Sequence, residues 1–160
     1  MEEGLNGRTT NLDYPFPPDR NGKTYLPPCL YSHAPIDLVV LSLGGNDLQS
    51  CFNRTATNIC AGLGTLVDVI QSSLYGFNMR NSPAILIISQ PIVLPEVETL
   101  RDDNAQFLFE NAVQKMQELV ELYASLAQEN GCYFLDITSD VKPSAIDGMH
   151  LDQDTVDPFV

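Results

Sequence analysis

The sequence predicts an α/β fold built on a parallel sheet. Three short apolar runs are each bounded by Pro or Gly. Two longer segments lie between them, with apolar residues at spacings of three and four. The two kinds alternate along the chain, and strand–helix–strand–helix–strand order with right-handed crossovers is what a parallel sheet requires. The 160 residues are read as one domain, long enough for a real core, and at 44% hydrophobic composition the chain is globular rather than disordered.

Residues 1–35 show neither period and are rich in Asn, Pro, Asp and Gly, as in DYPFPPDRNG, which reads as a long stiffened loop. Residues 37–43 (DLVVLSL) follow Pro35 and precede Gly44-Gly45, and read as a strand buried on both faces. Ile59, Leu63, Leu66, Val67, Ile70 and Leu74 then mark a helix over roughly 55–75. Residues 84–90 (AILIISQ), between Pro83 and Pro91, form the second strand. A longer helix over roughly 104–130 carries Phe109, Val113, Met116, Leu119, Val120, Tyr123 and Ala127, and ends at Asn130-Gly131 as a natural C-cap. Gln114, Lys115, Glu118 and Glu121 sit mainly off its stripe and should face water. Residues 132–137 (CYFLDI) form the third strand.

Eight Lys and Arg against 21 Asp and Glu give a net charge of −13. That balance, with no basic stripe, argues against a nucleic-acid backbone or an anionic membrane surface as partner. No apolar run approaches the ~20 residues that span a bilayer, and residues 1–10 lack the apolar segment of a signal peptide. Cys29, Cys51, Cys60 and Cys132 include no Cys-x-x-Cys pair, and there are two His. No zinc site is expected, and the cysteines read as four free thiols in a reducing, cytoplasmic compartment.

In parallel sheets function gathers at the carboxyl ends of the strands. After the first strand comes Gly44-Gly45-Asn46-Asp47. The glycines allow a tight strand-to-helix turn, and the Asn46 amide offers two uncharged donors suited to a developing oxyanion. The plainer reading is a turn whose Asn and Asp cap a helix. After the third strand comes Asp147-Gly148-Met149-His150. On a loop, that spacing lets the carboxylate fold back onto one ring nitrogen of His150 while the other faces a cleft, as a general base needs. The competing readings are an ordinary Asx turn with a surface His, or metal ligation by Asp152, Asp154 and Asp157. The last spacing lacks the Gly and closing Glu of a calcium loop. Asp136 reads as an anchor for the third strand end. His33, in YSHAP, reads as structural or loop-borne, with only Asp37 nearby in sequence.

Gly44-Gly45-Asn46-Asp47 followed late by Asp147-Gly148-Met149-His150-Leu151 resembles the SGNH hydrolases, or GDSL esterases. Residues 3–10 (EGLNGRTT) resemble that family's second block. The stretch from GLNGRTTN through NG-x-x-YLP-x-C-L to GGND is most similar to the arylesterase and acyltransferase branch, whose members are often homo-oligomers. The resemblance covers nearly the whole chain. It implies a flavodoxin-like three-layer α/β/α fold and hydrolysis or transfer of small or aryl acyl esters without a cofactor. It assigns Asp147 and His150 as the acid and base of a triad, and Gly7 and Asn46 to the oxyanion hole. It implies that residues 14–30 and 91–103 shape the acyl and alcohol pockets.

The family's first block, Gly-Asp-Ser, carries the nucleophile, and this chain has no Gly-Asp-Ser. Ser42 and Ser89 lie inside predicted strands, Ser50, Ser72 and Ser73 lie in or beside the first helix, and Ser139 and Ser144 lack a strained turn with N–H donors. The expectation is therefore no nucleophile within residues 1–160: a domain truncated at both ends, missing its first strand and closing helix, and inactive alone. The rival expectation is a non-catalytic subunit that associates with a full-length homologue through an exposed sheet edge.

Overall fold

The computed structural model describes residues 1–14 and 18–151. The elements are α1 (Gly22–His33), β1 (Leu38–Leu41), α2 (Ala56–Gln71), β2 (Ala84–Ile88), α3 (Ala112–Glu129) and β3 (Tyr133–Leu135), joined in part by short 3-10 turns. The three strands are parallel in the order β1-β2-β3. Val39 pairs with Ile85 and Leu41 with Ile87, and Ile87 pairs in turn with Phe134. The predicted α/β fold with a parallel sheet is the observed one.

Thr55 caps α2 in a reciprocal box with Asn58. Ile59, Leu63, Leu66, Val67 and Ile70 are each at most 1% exposed, as their period requires. Leu74 departs from the expectation: it lies beyond the helix end at Ser72 and is 60% exposed. Along α3, Met116, Leu119, Tyr123 and Ala127 are buried, and Gln114, Glu118 and Glu121 are exposed. The helix starts at Ala112, not near 104. Asn111 takes a left-handed conformation and does not cap it. The first turn is instead satisfied from outside, where the Val113 N–H donates to Glu98 Oε1 at 3.0 Å. Asn130 caps the far end as expected.

The stretch read as a loop contains α1, despite Pro27 and Pro28 within it. Each internal proline costs a helix about 3 kcal/mol. One local and one tertiary gain offset part of this. The Asn21 side chain accepts from Thr24 N–H at the N-cap, and Leu30 enters the core at 2% exposure. Burying a side chain such as Leu contributes roughly 1.5–3 kcal/mol.

Strand β1 was expected to be buried on both faces and is not. Leu41 is 5% exposed, but Leu38 and Val40, on the alternate face, are 46% and 51% exposed. Tyr133 and Leu135 of β3 are open likewise. Leu41, Ile85 and Ile87 join one core with the apolar faces of α2 and α3. A cavity of about 680 Å³ runs between α1 and β1, lined among others by Tyr25, Cys29, His33, Leu38, Val40 and Asn46.

Candidate active site

The turn after β1 is shaped by Gly44. A Cβ there would run into the Tyr123 hydroxyl and lie 3.2 Å from Ile59 Cγ2. Tyr123 needs that space, because its hydroxyl donates to Leu43 O at 3.0 Å. The chain then turns into a 3-10 turn at Asn46–Leu48, with Asp47 fully buried and Asn46 half-buried.

Asp47 does not cap a helix. Its Oδ2 accepts from Thr10 N–H at 2.9 Å, and its Oδ1 accepts from the Thr10 hydroxyl at 2.5 Å and Arg54 Nη1 at 2.9 Å. Burial pushes its carboxyl up, against the pull of Thr10 and Arg54. The result fastens residues 7–10 against the Asn46 turn. Asn46 Nδ2 donates to Arg8 O at 3.0 Å, leaving its second amide hydrogen for another acceptor. Gly7, next to that carbonyl, spends its N–H on no backbone acceptor among the described residues. Gly7 and Asn46, 39 positions apart, thus come to one corner of the molecule. Thr10 and Arg54, which build the corner with Asp47, escaped the sequence reading, and Asp47 itself entered it only as a helix cap. Their signal was a charged Asp directly after an apolar strand and its turn.

After β3, Asp136 anchors the strand end as expected. Its Oδ1 accepts from the Ser89 hydroxyl at 3.0 Å and from Thr138 N–H at 2.9 Å. Ser89 is buried and committed there, also accepting from Ile137 N–H. Ser42 lies just past β1 and is exposed beside the cavity, not inside a buried strand.

The loop at 144–150 closes on itself: Gly148 N–H donates to Ser144 O, and Ser144 N–H donates to His150 O. Residues 91–103 support this loop from beneath. Leu94 N–H donates to Gly148 O at 2.8 Å, and a Cβ on Gly148 would meet Val97 and Leu94. Within the loop Asp147 folds back onto His150. Its Oδ2 lies 2.8 Å from His150 Nδ1, and its Oδ1 accepts from the Met149 and His150 N–H groups, each at 2.9 Å. The Met149 N–H, then the imidazole, holds the Asp147 carboxyl down to about 2. Among the described residues nothing hydrogen-bonds Nε2 of His150, and the ring is exposed.

The structure therefore assembles two pairs, Gly7 with Asn46 and Asp147 with His150. The large cavity is lined by Asn46 and not by Gly7, Asp147 or His150. Asp152, Asp154 and Asp157, weighed as metal ligands, lie outside the described residues. His33 is on α1 rather than a loop, and Glu3, not Asp37, is its partner at 2.5 Å. All four cysteines are free thiols. No helix among the described residues is long and apolar enough to cross a membrane.

The fold is a parallel α/β sheet with polar loops at the carboxyl ends of its strands, where sites gather in this class of protein. Residues 2–156 match the model of the GDSL-like lipase/acylhydrolase family, and the chain belongs to that family. An aryl esterase from M. smegmatis has a similar structure, with a TM-score of 0.85 and 36% identity over 97% of this chain and 71% of that one. A carbohydrate acetylesterase from Sinorhizobium meliloti gives 0.86 and 36% over the same shares. A carbohydrate acetylesterase family member, also from Sinorhizobium meliloti, gives 0.83 and 34% over 99% of this chain and 76% of that one. Comparison with curated protein sequences gave no match.

Proposed function

We propose that this chain carries the acid–base pair and the oxyanion donors of a serine esterase or acyltransferase that acts on small or aryl acyl esters. The observation that carries the reading is the 2.8 Å contact between Asp147 Oδ2 and His150 Nδ1. It fixes the imidazole with its Nδ1–H toward the carboxylate and leaves Nε2 to take a proton. The esterases of similar structure support the class of substrate. In this reading Nε2 removes the proton of a serine hydroxyl as its oxygen bonds to the acyl carbon. The carbonyl π electrons move to oxygen, the Gly7 N–H and the Asn46 amide donate hydrogen bonds to that oxyanion, and its collapse re-forms the carbonyl as the bond to the alcohol oxygen breaks. The imidazolium returns its proton to the departing alcohol, and water or a second alcohol then takes the acyl group by the same steps.

No serine among the described residues hydrogen-bonds the His150 ring. The reading therefore assigns the nucleophile to a segment outside this chain, and no cofactor or metal to this chemistry. Turnover of p-nitrophenyl acetate tests it. The 160-residue chain alone should be inert, the chain joined to an upstream Gly-Asp-Ser segment should be active, and His150→Ala should abolish that activity. Full turnover by the 160-residue chain would refute the placement of the nucleophile.

A second reading, of a non-catalytic subunit that pairs with a full-length homologue, is favoured by the free edge of β1 and its exposed Leu38 and Val40. Light scattering on mixed chains should then show a hetero-complex that Val40→Lys disperses. A mixture that stays monomeric counts against it.

A further inference from the structure

Tyr25, Cys29 and His33 stand four residues apart on α1, so their side chains stack on one helix face. That face lines the cavity between α1 and β1. Glu3, from the N-terminal arm, reaches across to it. Its Oε1 lies 2.5 Å from His33 Nε2, and its Oε2 accepts from the Tyr25 hydroxyl. One carboxylate oxygen of Glu3, Cys29 Sγ and one ring nitrogen of His33 all lie within 4.8 Å of one another.

We propose that Glu3, Cys29 and His33 form a zinc site, with its fourth position open to the cavity. The donor set is one thiolate, one imidazole and one carboxylate. Zinc accepts all three, whereas calcium and magnesium require oxygen donors. Tetrahedral zinc, with bonds of about 2.0–2.3 Å, places its ligand atoms roughly 3.3–3.6 Å apart. The three atoms here lie within 4.8 Å of one another, so modest side-chain rotations bring them to that separation. Cys29 and His33 share the i, i+4 spacing by which a single helix offers two ligands to one ion.

Tyr25 supplies the outer support. Its hydroxyl donates to Glu3 Oε2 while Oε1 faces His33, as an outer partner orients a ligand. Zinc binding exchanges the Cys29 S–H bond for an S–Zn bond and releases the thiol proton to solvent. The sequence reading expected no zinc because it looked for Cys-x-x-Cys and for paired histidines. Here the third ligand comes from a residue 26 positions away. The bound ion would pin the N-terminal arm to α1.

The test is zinc titration of the 160-residue chain by calorimetry, paired with cobalt substitution read by absorption. One zinc per chain is expected, with proton release detected in buffers of different ionisation enthalpy and a thiolate-to-cobalt band. Cys29→Ser should remove that band, although Cys51, Cys60 and Cys132 remain. Glu3→Gln should weaken zinc by more than about tenfold, since even outer-sphere partners commonly give that much. Glu3 is exposed and outside every helix and strand, so this second variant keeps the fold and the test intact should Cys29→Ser fail to fold. No zinc uptake by the unmodified chain, an unchanged cobalt band in Cys29→Ser, or undiminished affinity in Glu3→Gln would each overturn the proposal.

Discussion

Thr10 donates both its backbone N–H and its hydroxyl to the carboxylate of Asp47, 37 residues away, and Arg54 closes the same carboxylate from the other side. This one buried group joins the EGLNGRTT arm to the turn after β1. With the Asn46 bond to Arg8 O, it holds Gly7 and Asn46 in one corner. Asp47→Asn should therefore destabilise the chain by about 3–5 kcal/mol, because it leaves Arg54 without its counter-charge and turns an amide NH₂ toward Thr10 donors. Urea unfolding followed by circular dichroism measures the loss. A change below about 1 kcal/mol would show that the carboxylate is not what fastens the arm.

The Asp147 loop carries a signature in pH. The folded carboxyl is held at about 2, below its ordinary value of 3.8. A depressed acid stabilises the folded loop above the ordinary value, and that contribution disappears as pH falls through the folded one. The loop should thus be intact at pH 5 and above, and released between roughly pH 4 and pH 2. Carbon NMR of the Asp147 carboxyl should titrate near 2 in the unmodified chain. In His150→Ala the midpoint should rise but stay below 3.8, because the Met149 N–H, the larger cause, is retained. A full return to 3.8 would mean that the imidazole alone sets the charge.

Gly44 and Gly131 separate steric crowding from backbone strain. Both have positive φ, +118° and +65°. A Cβ at Gly131 meets nothing within 4 Å, whereas at Gly44 it meets Tyr123 and Ile59. Gly44→Ala should cost roughly 2–4 kcal/mol, from strain and overpacking together, and Gly131→Ala about 1 kcal/mol from strain alone. Thermal unfolding of the pair checks the order. Equal losses would place the cost in the backbone and not in the Tyr123 contact.

Where local pattern and tertiary packing agree, the sequence was legible. The three strands lie inside the apolar runs at 37–43, 84–90 and 132–137, and the buried stripe of α2 is the one its spacing marked. The fold of Asp147 onto His150 was legible too, since a carboxylate three residues from an imidazole, with Gly between, closes by local geometry. The start of α3 was not legible, because its first turn is satisfied by Glu98 from a separate segment. Helix α1 was hidden behind Pro27 and Pro28, whose local cost is visible in the sequence while the burial of Leu30 that offsets part of it is not.

By itself the sequence determined the α/β class, the apolar periods that fill the core, and the short-range carboxylate–imidazole pair, all effects of neighbours a few residues apart. Only the tertiary structure decided that one face and edge of the sheet stand open at Leu38 and Val40. Only it brought Gly7 beside Asn46 through buried Asp47, and Glu3 onto the Cys29–His33 face of α1. These depend on desolvation and on hydrogen bonds between residues 26 to 44 positions apart, and such pairings acquire an energy once the chain has folded.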